Sequence, residues 1–290
     1  MSVEVTSRVL ARPLRLPSGG PPLFFITAPE VNALGYVALG RRLPPGESPY
    51  CVQARKGAHP ALRREYEPEE VSSLAADYLA SVRAVQPEGP YLLAGMCAGG
   101  HIAFEMARQL ESAGEQVALL AMLDTWPVEN SSYYPLVLLE SLRRRFRRPE
   151  GAPLLGWLWR SARQAITRLV QKLHPGRAAA PEFARWRARV WPGPDFVPAR
   201  FGGEITVLRA RRQAYYRVSD PTLGWGTRTD GLVRVLPFPG DHESMLRAPN
   251  VDAVAALLAR CLVRSRWVYR LHAPQARGAA APAALTRNGR

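Results

Sequence analysis

Short apolar runs recur along the first half of the chain at intervals that leave room for a helix between them. PLFFIT (22–27), SPYCVQA (48–54), PYLLAG (90–95) and QVALLAMLD (116–124) are runs of the kind a buried strand makes. Between them, LGYVALGRRL (34–43) carries helical periodicity. PEEVSSLAADYLASVRAVQP (68–87) reads as an amphipathic helix with acidic residues in its first turn, and GGHIAFEMARQLESAG (99–114) as a helix that stops at Gly114. Strand and helix therefore alternate from residue 22 to 124, which predicts an α/β fold with a parallel, doubly wound sheet. Alternation resumes at EITVLRA (204–210) and LVRVLPFPGDH (232–242), and a final helix, NVDAVAALLARCLVRSRW, starts at Asn250.

The remaining segments lack this rhythm. Residues 1–21 are rich in proline and glycine and read as a leader. Residues 127–200 are helix-rich and Arg-rich, an insertion between the fourth and fifth recognisable strands. Residues 271–290 are dominated by Ala, Pro, Gly and Arg and are expected to be disordered. The α/β core is thus expected over 22–126 and 201–270, with a basic helical lid over 127–200.

Composition narrows the class. A length of 290 residues, 47% of them hydrophobic and 22% charged, suits one large globular domain with an insertion. No stretch reaches the ~20 apolar residues that cross a bilayer, and the start lacks the basic-then-apolar layout of a secretory signal. A cytoplasmic location is expected. Cys51, Cys97 and Cys261 are too few and too scattered for a disulfide framework or a metal site, so no metal is expected. The net charge of +15 points to an acidic partner: nucleic acid, an anionic membrane or an acidic protein. The insertion holds 14 Lys and Arg against five Asp and Glu, so nine charges of the excess lie there.

Candidate chemistry begins at GMCAGG, residues 95–100, which joins a strand to a helix and has the form Gly-x-nucleophile-x-Gly with cysteine in the centre. Such a turn is tight enough to require small neighbours, here Gly95 and Gly99. It presents Cys97 at a helix N-terminus, where the dipole and free amides favour a thiolate. The amide of Ala98 faces the same space and supplies half of an oxyanion hole. A thiol nucleophile wants a base and an orienting acid. His242 follows the last strand in FPGDHESML, where the histidine of a nucleophile–acid–histidine chain order belongs. His59, His101, His174 and His272 have weaker contexts. Asp124 ends the strand after the elbow helix, on the same sheet edge. The bland alternatives are a buried cysteine in a glycine-rich turn, a surface histidine and a turn aspartate.

With these motifs the chain resembles the thioesterase domains that end non-ribosomal peptide and polyketide synthetases, a branch of the α/β-hydrolase fold. The similar stretches, among them PLFFIT, the run from EEVSSL to MLDTWP, DPTLGWG and VLPFPGDHESMLRAPNV, cover about residues 20–127 and 200–262. The resemblance implies that Cys97, His242 and Asp124 are nucleophile, base and orienting acid. It also implies a substrate carried as a thioester on the phosphopantetheine of an acyl or peptidyl carrier protein, with no cofactor bound to the domain itself. Two departures stand out. Cysteine replaces serine in the elbow, and TAPEVN replaces the glycine-rich segment that gives the second oxyanion donor. Pro29 has no N–H, so that donor would be Ala28 or Glu30. Met96, Trp126, Trp157 and Trp159 are candidate substrate contacts.

Carrier proteins of this kind are generally acidic, which gives the basic insertion a partner. Its tryptophans fall at helical spacing, which suits a lid core or acyl channel better than nucleic-acid stacking, so no nucleic acid is expected; membrane contact ranks behind both. The expected activity is an acyltransferase or cyclase that releases the chain to a small amine or hydroxyl acceptor. Plain hydrolysis of the same thioester, a small-lactone hydrolase and a non-catalytic carrier-binding scaffold are the alternatives.

Overall fold

The computed structural model describes residues 8–29, 31, 33–59, 68–127, 199–213 and 220–272. The basic insertion, apart from its ends, therefore lies outside the described residues, as do Glu30, Trp157, Trp159 and the tail beyond residue 272. One seven-stranded sheet organises the described chain, in the order β1-β3-β2-β4-β5-β6-β7. Its strands are β1 (Val9–Pro13), β2 (Pro22–Ile26), β3 (Ser48–Ala54), β4 (Tyr91–Met96), β5 (Val117–Leu123), β6 (Ile205–Ala210) and β7 (Val233–Phe238). The six strands from β2 to β7 pair in parallel, and β1 joins β3 antiparallel at one edge, Val9 opposite Ala54.

The helices are α1 (Leu34–Gly40), α2 (Pro68–Val85), α3 (Ala98–Ser112) and α4 (Asn250–His272). Helices α2 and α3 pack together over one face, on Phe24, Ile26, Leu93, Leu120, Met122 and Val207. Helices α1 and α4 cover the other, on Leu23, Phe25, Leu92, Ala94, Ala121 and Leu208. Alternate residues of one strand thus enter two separate cores. This is why β2, β4 and β5 are apolar throughout: a central parallel strand has no face left for water. Each large apolar side chain buried this way contributes about 1.5–3 kcal/mol relative to exposure.

The doubly wound parallel sheet stands where the periodicity placed it. Two expectations change. The stretch read as a leader contains β1, and α4 runs five residues past Trp267. The parallel order brings the carboxyl ends of β2, β4, β5, β6 and β7 to one edge of the sheet. The ends of β4, β5 and β7 carry Cys97, Asp124 and His242.

Candidate active site

Cys97 sits between β4 and α3 with φ 53° and ψ −128°, a conformation that L residues avoid and that costs about 1–3 kcal/mol. Glycine makes the turn possible. A Cβ on Gly95 would lie 2.4 Å from the Gly99 carbonyl oxygen, and one on Gly99 would lie 2.2 Å from that of Ile26. The turn aims the thiol outward. Cys97 is exposed, whereas Cys51 and Cys261 are buried and burial pushes their thiols up, to about 12 and about 11. Ala98 opens α3, and amides in a helix's first turn have no intrahelical acceptor.

His242 comes to Cys97 from the loop after β7, which bends at Gly240 with φ 99° and is held by an Asp241–Ser244 turn: Ser244 N–H donates to Asp241 Oδ1 at 3.0 Å. The imidazole Nδ1–H donates to Asp124 Oδ2 at 3.1 Å and to the Asp124 carbonyl at 3.1 Å. A carboxylate accepts only, so the proton is on Nδ1 and Nε2 is left for the thiol. Burial disfavours the charged ring, but hydrogen bonds and charge at Asp124 and Cys97 outweigh it and push His242 up to about 9. The same partners thus favour the charged ring over the neutral one.

Asp124 is 1% exposed and sits at φ 46°, in the left-handed region that aspartate tolerates. Its second oxygen is fully used: Oδ1 accepts the Ala210 amide at 2.8 Å and Gln213 Nε2–H at 2.7 Å. Gln213 also donates to the Ala210 carbonyl at 2.9 Å, so the end of β6 grips the carboxylate from backbone and side chain together. The flanking residues are equally fixed. Trp225 Nε1–H donates to the Thr125 carbonyl at 2.7 Å, and His101 Nε2–H to that of Trp126 at 2.8 Å.

The structure thus brings Cys97, His242, Asp124 and Ala98 together at one edge, and Trp126 with them, its ring centroid 5.1 Å from that of His242. Met96 is half-buried and its amide is already engaged, donating to Tyr36 Oη at 2.9 Å. Ala28 is buried just past β2, beside Pro29. The sequence motifs do not single out Gln213 or Trp225, and His101 is among the histidines of weaker context. A polar residue just past a strand end on this edge was the one available signal for Gln213. Among the described residues no group of His, Cys, Asp or Glu is arranged to hold a metal, and no helix is long and apolar enough to cross a membrane.

Comparison with known proteins decides the family. The family model for the thioesterase domain matches residues 21–262. The chain belongs to the thioesterase domain family. Its curated relatives include a dimodular nonribosomal peptide synthase of Bacillus subtilis, 38% identical over 40% of this chain. Another is a non-reducing polyketide synthase of Cladonia metacorallifera, 26% identical over 89% of it. The chain spans only 5% and 13% of those two proteins. Among solved structures it is similar to a four-domain nonribosomal peptide synthetase bound to AMP and glycine (25% identity, TM-score 0.56), covering 87% of this chain and 20% of that one. It is also similar to the Vlm2 thioesterase domain bound with a dodecadepsipeptide (23% identity, TM-score 0.55), covering 88% and 98%. The thioesterase domain adopts the α/β-hydrolase fold, and the resemblance read from the motifs is correct at the level of the family.

Proposed function

We propose that this thioesterase domain releases an acyl or peptidyl chain from the phosphopantetheine thioester of a carrier protein through an acyl-enzyme on Cys97. The observation that carries the reading is the exposed elbow thiol beside a histidine whose Nδ1–H is held by Asp124 and whose charged form Asp124 and Cys97 together favour.

The steps follow from that protonation state. Cys97 thiolate attacks the thioester carbonyl, and the amide of Ala98, with Ala28 or Glu30 as second donor, stabilises the oxyanion. His242 gives its Nε2 proton to the departing pantetheine sulfur as the C–S bond breaks, leaving a Cys97 thioester and a neutral ring. That ring then takes a proton from the acceptor, an amine, a hydroxyl or water, as it attacks. Collapse of the second tetrahedral intermediate expels Cys97 as thiolate, and the imidazolium stands ready again. Met96 and Trp126 border the reacting carbonyl; the insertion over 127–200, with Trp157 and Trp159, carries nine excess positive charges. Its basic charge suits an acidic carrier protein.

Sulfur in the elbow favours transfer over hydrolysis. A Cys97 thioester starts near the energy of the incoming thioester and yields to amines more readily than an oxygen ester. The test is acceptor competition on an acyl-pantetheine substrate, comparing the enzyme with Cys97→Ser. The expected result is a ratio of amide or cyclic product to free acid that falls in the serine variant. An unchanged ratio refutes the role given to sulfur, and release at one rate whatever amine is added makes the domain a simple hydrolase.

A further inference from the structure

In the acyl-enzyme reading the second oxyanion donor comes from the segment after β2, TAPEVN, which contains no glycine and one proline. It lies directly against the elbow. Ile26 is the register partner of Gly95, and a Cβ on Gly99 would meet the Ile26 carbonyl oxygen at 2.2 Å and Thr27 Cα at 3.4 Å. The position of these two residues therefore sets the width of any pocket between Ala28 and Ala98.

Two buried tyrosines fix it, one from each face of the sheet. Tyr36, on α1, is 4% exposed and stacks on Phe25 with ring centroids 5.1 Å apart. Its hydroxyl donates to the Ile26 carbonyl at 3.3 Å and accepts the Met96 amide at 2.9 Å. Tyr78, on α2, is fully buried in the opposite core. Its hydroxyl donates to the Thr27 carbonyl at 2.7 Å and accepts the Ala54 amide at 3.3 Å. Each hydroxyl uses its one proton and a lone pair at once, so neither can rotate without losing a partner. Consecutive carbonyls are thereby held from above and below, while the Thr27 amide and Oγ1 both donate to Val52 O at 3.0 Å. Tyr36 does more than anchor a loop. It ties the end of β2 to the residue immediately before Cys97, so one oxygen spans the two halves of the pocket.

We infer that Tyr36 and Tyr78 are positioning residues that set the oxyanion pocket, Tyr36 directly and Tyr78 one bond further out. Phenylalanine would fill either core equally well; what it removes is the placement of a carbonyl and, at Tyr36, of the elbow. This inference rests on the acyl-enzyme reading above.

Tyr36→Phe and Tyr78→Phe test it in four measurements: kcat and KM on an acyl-pantetheine thioester, affinity for an acyl aldehyde, affinity for the matching pantetheine amide, and alkylation of Cys97 by iodoacetamide. The aldehyde forms a thiohemiacetal whose oxygen occupies the pocket; the amide binds without one. Misplacing a reacting group by about 1 Å costs roughly 100-fold, so Tyr36→Phe is expected to lose about 10- to 100-fold in kcat and Tyr78→Phe less. Aldehyde affinity should weaken in step with kcat, whereas KM, amide affinity and alkylation rate stay within about twofold, the split expected when only transition-state interactions are lost. A folded Tyr36→Phe with unaltered kcat overturns the inference, and so does equal loss of aldehyde and amide binding or a parallel loss of alkylation. Should Tyr36→Phe not fold, the same comparisons on Tyr78→Phe decide. A parent enzyme that forms no Cys97 acyl adduct refutes the underlying reading instead, and the inference with it.

Discussion

Replacing Asp124 by asparagine removes one of the two groups that keep His242 charged. The substitution keeps size and leaves an oxygen for the Ala210 amide and Gln213, which hold Oδ1 at 2.8 and 2.7 Å. The amide nitrogen must then face His242 Nδ1, donor against donor, unless the ring gives up the Nδ1 proton. In the native site, Asp124 and Cys97 together lift the ring from 6.5 to about 9 against the opposing effect of burial. That rise is worth about 3 kcal/mol of preference for the charged ring, shared between the two partners. The proton leaving with pantetheine comes from this ring, so acylation requires its charged form and fails as pH rises through the ring's pKa, near 9 in the native enzyme. Losing the carboxylate lowers that pKa, so the alkaline limb moves to lower pH. The wrong tautomer adds a loss of its own, together about 10²-fold or more at pH 8; thiolates, being intrinsically nucleophilic, suffer less than the ~10⁴ seen where serine depends on its base. Single-turnover release of pantetheine thiol between pH 6 and 10 reads both effects. An alkaline limb that stays in place in a folded Asp124→Asn would mean that the carboxylate does not hold the proton, and the reasoning fails.

Two further substitutions probe the supports of the site. Gln213→Leu removes one of the two donors to Asp124 Oδ1, a charge-assisted bond worth about 1.5–3 kcal/mol; kcat/KM should fall about tenfold or more with melting temperature lowered by a few degrees, and unchanged kinetics would exclude Gln213 from orienting the acid. Gly99→Ala drives a methyl into the Ile26 carbonyl, which must retreat by about 1 Å; the expected outcome is 1–3 kcal/mol of destabilisation in urea titration and a roughly 100-fold loss of kcat, and a variant as active as the parent would refute the tight contact.

Much of this arrangement is legible in the sequence because it depends on neighbours along the chain. β2, β4 and β5 are apolar from end to end since both faces are covered. The elbow announces itself because only Gly95 and Gly99 fit its turn. His242 and Asp124 follow from chain order, each just past a strand on the same edge. What stayed hidden depends on contacts across the fold. VLARP, at β1, contains arginine and proline and buries only Val9, because an edge strand needs one partner and covers little. Its pairing with β3 joins residues 37 to 45 positions apart, from Pro13–Tyr50 to Val9–Ala54. Gln213 lies 89 residues from Asp124, and Tyr36 and Met96 lie 60 apart, so no local pattern pairs them with those partners. A tyrosine within an apolar helix face reads as core, which Tyr36 and Tyr78 are; only the three-dimensional position of their hydroxyls adds the second role.

The central claim is a covalent acyl chain on Cys97, and intact-protein mass spectrometry after brief exposure to an acyl-pantetheine thioester addresses it directly. The account predicts a single added acyl mass that maps by proteolysis to the GMCAGG turn, disappears in Cys97→Ala and is discharged by an amine. A folded parent enzyme that gains no mass, or an adduct that persists in Cys97→Ala, would contradict it.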